Sequence, residues 1–153
     1  MSEPLKGQIT NRAYSTKVRD YSGLLVGGGT PTDIDGFIEW KGEKALFIEL
    51  KYGEIELTAS GKPVAGKGHY GQMLAFERLC DAVHKGGMTC IFILCTHSAV
   101  PGQDIIAHEC PVACYRFKGK WYLPQGFPTA GEAVRRFHDW DGNGFPLGIR
   151  CAQ

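Results

Sequence analysis

Acidic and basic side chains stand close together within one short apolar segment of this chain. Residues 45–52 read Ala-Leu-Phe-Ile-Glu-Leu-Lys-Tyr, and their alternation predicts a β-strand whose side chains point in turn to opposite faces of a sheet. Glu49 and Lys51 then share one face with Ala45 and Phe47. Such an apolar strand rarely carries two charges unless they pair with each other or bind something.

Two further carboxylates lie just upstream, on a segment predicted to pair with this strand. Residues 34–40 predict the first strand of a β-hairpin, and residues 41–44 supply the turn that leads to the second strand. Asp33 and Asp35 share a face and would lie beside Glu49. Adjacent carboxylates repel each other and raise their own pKa values unless a cation lies between them. The pattern therefore predicts a divalent metal ion.

The remaining elements must position these residues. Gln72 lies at the N-terminal end of an apolar helical stripe that continues through Phe76, Leu79 and Val83. The order strand, helix, strand predicts parallel pairing across a right-handed connection. We expect an α/β domain in which a mixed central sheet of four to five strands is flanked by helices. Helices are predicted over residues 8–21, 69–85 and 129–140, and further strands over residues 22–26, 88–96, 112–117 and 120–123.

Composition bounds the class of protein. A chain of 153 residues with 43% hydrophobic and 22% charged residues is typical of one globular domain, so residues 1–153 are expected to form a single domain. No apolar run is long enough to span a membrane, and the first residues lack an apolar signal core. Six cysteines in this context predict reduced thiols in a cytoplasmic protein. A net charge of +1 still allows a local basic patch that binds nucleic acid.

Asp35, the run Glu49-Leu50-Lys51 and the helix that carries Gln72 together resemble the PD-(D/E)xK nuclease superfamily. The resemblance covers roughly residues 8–97, and residues 31–39 look like small phage-type members of the resolvase-like or VRR-NUC-like kind. It implies a restriction-endonuclease-like core and a Mg²⁺- or Mn²⁺-dependent nuclease that hydrolyses DNA phosphodiester bonds. We expect the substrate to be recognised by its structure or its ends, in the cytoplasm of a bacterial cell or a phage-infected host.

The resemblance also implies a role for each residue of the site. Asp35 and Glu49 would hold the metal, and the backbone carbonyl of Leu50 would add a ligand. Lys51 would position the attacking water or stabilise the transition state electrostatically, and Gln72 would orient the site.

Other residues are predicted around this centre. The role of Asp33 is left open: it would either bind a second metal ion or orient the first metal ion through a water molecule. Residues 53–68 form a long loop that either contacts the phosphate backbone or is simply solvated. The candidate DNA-binding residues are Lys62, Lys67 and His69 of this region, with Arg12 and Lys17 of the first helix. DNA is the expected partner, and a two-fold homodimer would suit cleavage of two strands.

Two alternatives remain at this point. The first is a nucleic-acid-binding module with a nuclease-like fold and no catalysis. The second is a structural zinc site, either on such a module or on a nuclease core. Its candidate ligands are Cys95, His97, His108, Cys110 and Cys114, although buried reduced cysteines would explain the same pattern.

Overall fold

The computed structural model describes residues 34–64 and 70–151, which contain a five-stranded mixed β-sheet and two α-helices. The predicted α/β class is therefore confirmed. The helix predicted over residues 8–21 and the strand predicted over residues 22–26 lie outside the described residues. Within the described ranges, no helix has both the length and the apolar composition that crossing a lipid bilayer requires.

The predicted hairpin is formed by β1 (Gly36–Trp40) and β2 (Lys44–Tyr52), which pair antiparallel. The turn uses left-handed backbone at Lys41 and Gly42, with φ of 51° and 73°. The strand bounds differ slightly from the prediction. β1 begins later than residue 34, because the side chain of Asp35 occupies the position where a backbone pair would continue.

The chain then crosses to a strand parallel to β2. Helix α1 (Tyr70–Lys85) leads to β3 (Thr89–His97), and β3 pairs with β2 in register along its full length. This confirms the predicted helix, the buried strand and their parallel connection, each within one residue of the expected bounds. Because β2 has β1 on one side and β3 on the other, the strand that carries Glu49 and Lys51 is an interior strand.

The second predicted hairpin and the last predicted helix are also present. β4 (Val112–Phe117) and β5 (Lys120–Tyr122) extend the sheet, so that its order is β1-β2-β3-β4-β5. Helix α2 (Ala130–Asp139) begins with the predicted capping box: the Thr129 hydroxyl accepts from the Glu132 amide, and the Glu132 carboxylate accepts from the Thr129 amide. Such a cap is worth about 1 kcal/mol.

Each face of the sheet packs against its own apolar cluster. The face that carries Ala45 and Phe47 packs against α1, and the opposite face packs against α2. One prediction for α1 is wrong: Leu79 is exposed, and Cys80 takes its place in the core. The buried stripe of α1 is therefore rotated toward Met73, Phe76, Cys80 and Val83, which keeps helical spacing but follows the neighbouring strands.

A partly buried polar network ties α1 to β4 and β5. The Arg116 guanidinium donates to both carboxylate oxygens of Asp81, at 3.0 and 2.7 Å. The Trp121 indole donates to Glu77 at 2.7 Å, and Arg116 lies 3.7 Å from the same carboxylate. These contacts join elements distant in sequence, so they fix the helix that carries Gln72 against the sheet.

Residues 53–64, the described part of the predicted loop, are held by backbone hydrogen bonds. Thr58 and Lys62 pair through their backbones at 2.8 Å, and Val64 donates to the Glu56 carbonyl at 2.9 Å. Ile55 and Leu57 pack against the cluster on the α1 face. The described segment is therefore held by its own backbone pairing and by apolar packing, and its contact with DNA stays a prediction.

Gly61 is the position where this turn meets the sheet. Its φ is +90°, and a Cβ at this site would lie 2.8 Å from backbone atoms of Tyr122 and Leu123. We expect Gly61→Ala to lower the free energy of unfolding by about 3 kcal/mol, because backbone strain and a clash add. Denaturant unfolding measures the change. Gly42→Ala is the control, with φ of +73° in open space, and should cost only about 1 kcal/mol. Equal losses in the two variants would contradict the packing of Gly61.

Candidate active site

Glu49 and Lys51 lie together at the carboxyl end of β2, on the face that packs against α1. Glu49 is only 3% exposed, although it is charged. The Lys51 ammonium donates to its Oε1 atom at 2.5 Å. The predicted alternation of β2 thus places an acid and a base side by side at the end of a buried strand, where an ion pair is only partly screened by water.

Gln72 reaches the same point from the first described turn of α1. The chain leaves the carboxyl end of β2 and returns in α1, which places the N-terminal turn of the helix at that end of the sheet. The Lys51 ammonium donates to Gln72 Oε1 at 2.9 Å. Lys51 is therefore held between a carboxylate from the strand and an amide oxygen from the helix. The dipole of α1 favours negative charge at this end.

Asp35 approaches the site from the β1 side. Its Oδ2 atom accepts a hydrogen bond from the Leu50 amide at 2.7 Å. In an extended strand the N–H and C=O of one residue point to the same edge, so the Leu50 carbonyl is directed to the Asp35 side of β2. The structure thereby brings together Asp35, Glu49, Lys51 and Gln72, with the Leu50 backbone beside them.

The environment of Glu49 changes its acidity. Burial raises the pKa of Glu49 to about 7, the hydrogen bond from Lys51 opposes this shift, and the nearby charge of Asp35 adds to it. A carboxyl group in this state gains from any added cation, because the cation compensates both the lost hydration and the repulsion from Asp35.

Glu49 also carries a polar atom that lacks a partner. Its Oε2 is buried and accepts no hydrogen bond from any residue that the structure describes. Leaving a charged acceptor buried and unsatisfied is costly. The donor set of two carboxylates and a backbone carbonyl suits a hard divalent cation such as Mg²⁺ or Mn²⁺. The residues present therefore fit the predicted metal, with Asp35, Glu49 and Leu50 as the groups that would hold it.

Of the predicted DNA-binding residues, only Lys62 is among the residues that the structure describes. Lys62 is exposed within the turn of residues 53–64. The other predicted ligand and DNA contacts lie outside the described residues: Asp33, Lys67, His69, Arg12 and Lys17. Their roles remain predictions.

The structure describes all five candidate zinc ligands and does not support a zinc site among them. No three His, Cys, Asp or Glu side chains in residues 34–64 and 70–151 are grouped so as to hold a metal. Cys95 and Cys114 belong to the clusters on opposite faces of the sheet. Burial raises the pKa of Cys95 to about 12 and that of Cys114 further, which disfavours the thiolate that zinc requires.

Residue Thr96 was not singled out from the sequence. It is the register partner of Lys51 on β3, at the same end of the sheet. Only the parallel pairing reveals this neighbour, since residues 51 and 96 are far apart in the chain.

Comparisons of this chain with models of protein families, with curated proteins and with solved structures found no match.

Proposed function

We propose that this protein is a metal-dependent nuclease that hydrolyses phosphodiester bonds in DNA. The observation that carries the proposal is the buried Oε2 atom of Glu49, which lies beside Asp35 and has no hydrogen-bond partner among the described residues, with Lys51 and Gln72 hydrogen bonded at the same point. Paired carboxylates of this kind favour a divalent cation, and an adjacent ammonium favours a substrate that gains negative charge as it reacts.

Each side chain has a distinct task in this proposal. Asp35 and Glu49 would hold Mg²⁺ or Mn²⁺, and the Leu50 carbonyl would complete their set of oxygen ligands. A divalent cation in such a site lowers the pKa of a bound water and offsets charge on the phosphate. Lys51 would donate hydrogen bonds to the attacked phosphate group or to the attacking water. Gln72 would hold Lys51 in place through its amide oxygen.

The choice of DNA rests on the resemblance of these residues to the PD-(D/E)xK superfamily. The same resemblance favours a substrate recognised by its structure or ends, a phage-type protein of the cytoplasm and a homodimer for cleaving two strands. A binding module that lacks catalysis is less favoured, because two neighbouring carboxylates that hold no divalent cation repel each other and destabilise the folded state.

The test is cleavage of end-labelled single-stranded, duplex, flap and four-way-junction DNA with Mg²⁺, with Mn²⁺ and with EDTA. We expect cutting with either metal and none with EDTA, and the preferred DNA identifies the substrate class. The Asp35→Asn/Glu49→Gln double variant, purified identically, controls for a contaminating nuclease. Glu43→Gln removes an exposed carboxylate of the same hairpin and should cut normally. Failure to cut any DNA, or equal cutting by the double variant, would refute the proposal.

A further inference from the structure

An open cleft of about 560 Å³ lies at the same end of the sheet as the candidate active site. It lies where β2 and β3 end, and Thr96, the register partner of Lys51, forms part of its wall. Gly53 directly follows the last residue of β2, and its amide donates to the His97 carbonyl at 2.9 Å. Since neighbouring strands lie about 4.8 Å apart, the backbone of Thr96 lies one strand spacing from that of Lys51 and on the same face of the sheet, while His97 follows on the opposite face.

The charges around the cleft disfavour the phosphate backbone of a nucleic acid and favour its bases. Glu54, Asp104 and Glu109 line it, and no lysine or arginine is among the described residues that do. Carboxylates repel the phosphate backbone. They accept hydrogen bonds from the amino groups of bases, as they do in base readout.

Part of the cleft wall is apolar, and His97 is the one aromatic residue among the described residues that line it. His97 contributes its imidazole, and Ile105 and Ile106 contribute partly exposed side chains. The ring of Tyr52, itself largely exposed, packs edge-on against His97 with centroids 5.8 Å apart. A flat, neutral ring stacks favourably on such a surface.

His97 also has unused hydrogen-bonding capacity. Its Nδ1 atom is buried and has no partner among the residues that the structure describes. Rotation of the ring about its terminal side-chain torsion would exchange the positions of Nδ1 and a ring carbon. The residue therefore offers both a stacking surface and a nitrogen that can turn toward a ligand.

We infer that this cleft, at the end of the sheet, binds one unpaired nucleobase of the strand whose scissile phosphate lies at Glu49 and Lys51. The inference rests on the proposed nuclease function and extends it to a substrate class: DNA in which a base beside the cut is free to leave the helical stack. Branched, flapped or single-stranded DNA has such bases, whereas a continuous duplex must unstack one at a cost.

The test uses single-stranded and flap oligonucleotides whose cut position has been mapped with the wild-type protein and Mg²⁺. An abasic residue is then placed at each nucleotide beside the cut in turn. At one of these positions we expect kcat/KM to fall about tenfold, because stacking of a base on the cleft is lost. Pairing the same nucleotide to a complementary strand should also slow cutting.

Variants of the cleft should remove this dependence on the base. His97→Ala should cut the intact oligonucleotide about tenfold more slowly and the abasic one no more slowly than the wild type does. Ile105→Ala, at a side chain 43% exposed, makes the same test with little risk to folding. Phe127→Ala removes an 84% exposed aromatic ring elsewhere and should keep the full abasic effect.

The outcomes separate this inference from the nuclease proposal. If metal-dependent cutting is unaffected by an abasic residue at every position, the proposed binding of a base in the cleft is wrong, and the nuclease proposal still stands. Equal abasic effects in wild type, His97→Ala and Ile105→Ala would also overturn it. Absence of cutting on all DNA would overturn both.

Discussion

The Lys51→Met variant should bind Mg²⁺ as the wild type does, but it should cleave DNA about 10³-fold more slowly. Its ammonium lies 2.5 Å from Glu49 and 2.9 Å from Gln72, so it is held in place before the substrate arrives. Loss of one preorganised donor to the charge of a transition state typically costs 10²- to 10³-fold in rate. Single-turnover cleavage at saturating Mg²⁺ measures the rate, and calorimetry measures metal binding.

Two further variants test whether the loss of rate is specific to the Lys51 ammonium and its contact with Gln72. Lys41→Met removes an exposed ammonium from the turn of the same hairpin and should leave the rate unchanged. Gln72→Ala should slow cleavage less, about tenfold, because Gln72 acts through Lys51 as a positioning residue. Under the proposal, Gln72→Ala has no effect in a Lys51→Met background. A Lys51→Met rate within tenfold of wild type would rule out this role for the ammonium.

Without metal, the protein should lose about 3 kcal/mol of unfolding free energy between pH 4.5 and 8. The pKa of Glu49 is about 7 in the folded chain and 4.5 in the unfolded chain. The folded state therefore binds more protons in this window, so stability falls as the pH rises. One pKa unit corresponds to about 1.36 kcal/mol. Chemical unfolding in EDTA across this range measures the loss.

Adding Mg²⁺ should reverse this dependence, because the metal binds the ionised form and stabilises the folded state. The stabilisation by Mg²⁺ should be larger at pH 8 than at pH 5.5. Glu49→Gln should show neither the fall nor the response to Mg²⁺. Burial lowers the pKa of His84, so this residue makes the free energy of unfolding rise with pH. His84 is present in the wild type and in Glu49→Gln, and its contribution therefore cancels when the two pH profiles are subtracted. Identical pH profiles for the two proteins would contradict the burial of an ionisable Glu49.

Elements set by local pattern are those the sequence predicts well. The alternation along residues 45–52, the unbroken apolar run of residues 88–96 and the Thr129–Glu132 capping box each depend on near neighbours, and all three appear as expected. The exposure of Leu79 was missed because periodicity gives the spacing of a stripe and not its rotation. That rotation is set by the strands against which α1 packs.

Contacts between distant residues could not be predicted in the same way. The Lys44 ammonium donates to the Phe137, His138 and Trp140 carbonyls at the end of α2, at 3.1, 2.7 and 2.8 Å, although the sequence suggested only a turn residue. The proximity of Asp35 to Glu49 was predictable, since a hairpin has a fixed register. The burial of Glu49 was not, because it depends on the packing of β3 and α1. Neither was the cleft beside Thr96, because its wall combines the ends of β2 and β3 with residues 103–106 and 109–111.

The hydrogen bond between Leu50 and Asp35 has a spectroscopic consequence. At this point of β2 a backbone amide is bound by a carboxylate and not by a neighbouring strand. The chemical shift of an amide proton is sensitive to the charge of its acceptor. The Leu50 signal in a nitrogen–proton correlation spectrum would thus report whether a cation has joined Asp35, in a protein to which no substrate has been added.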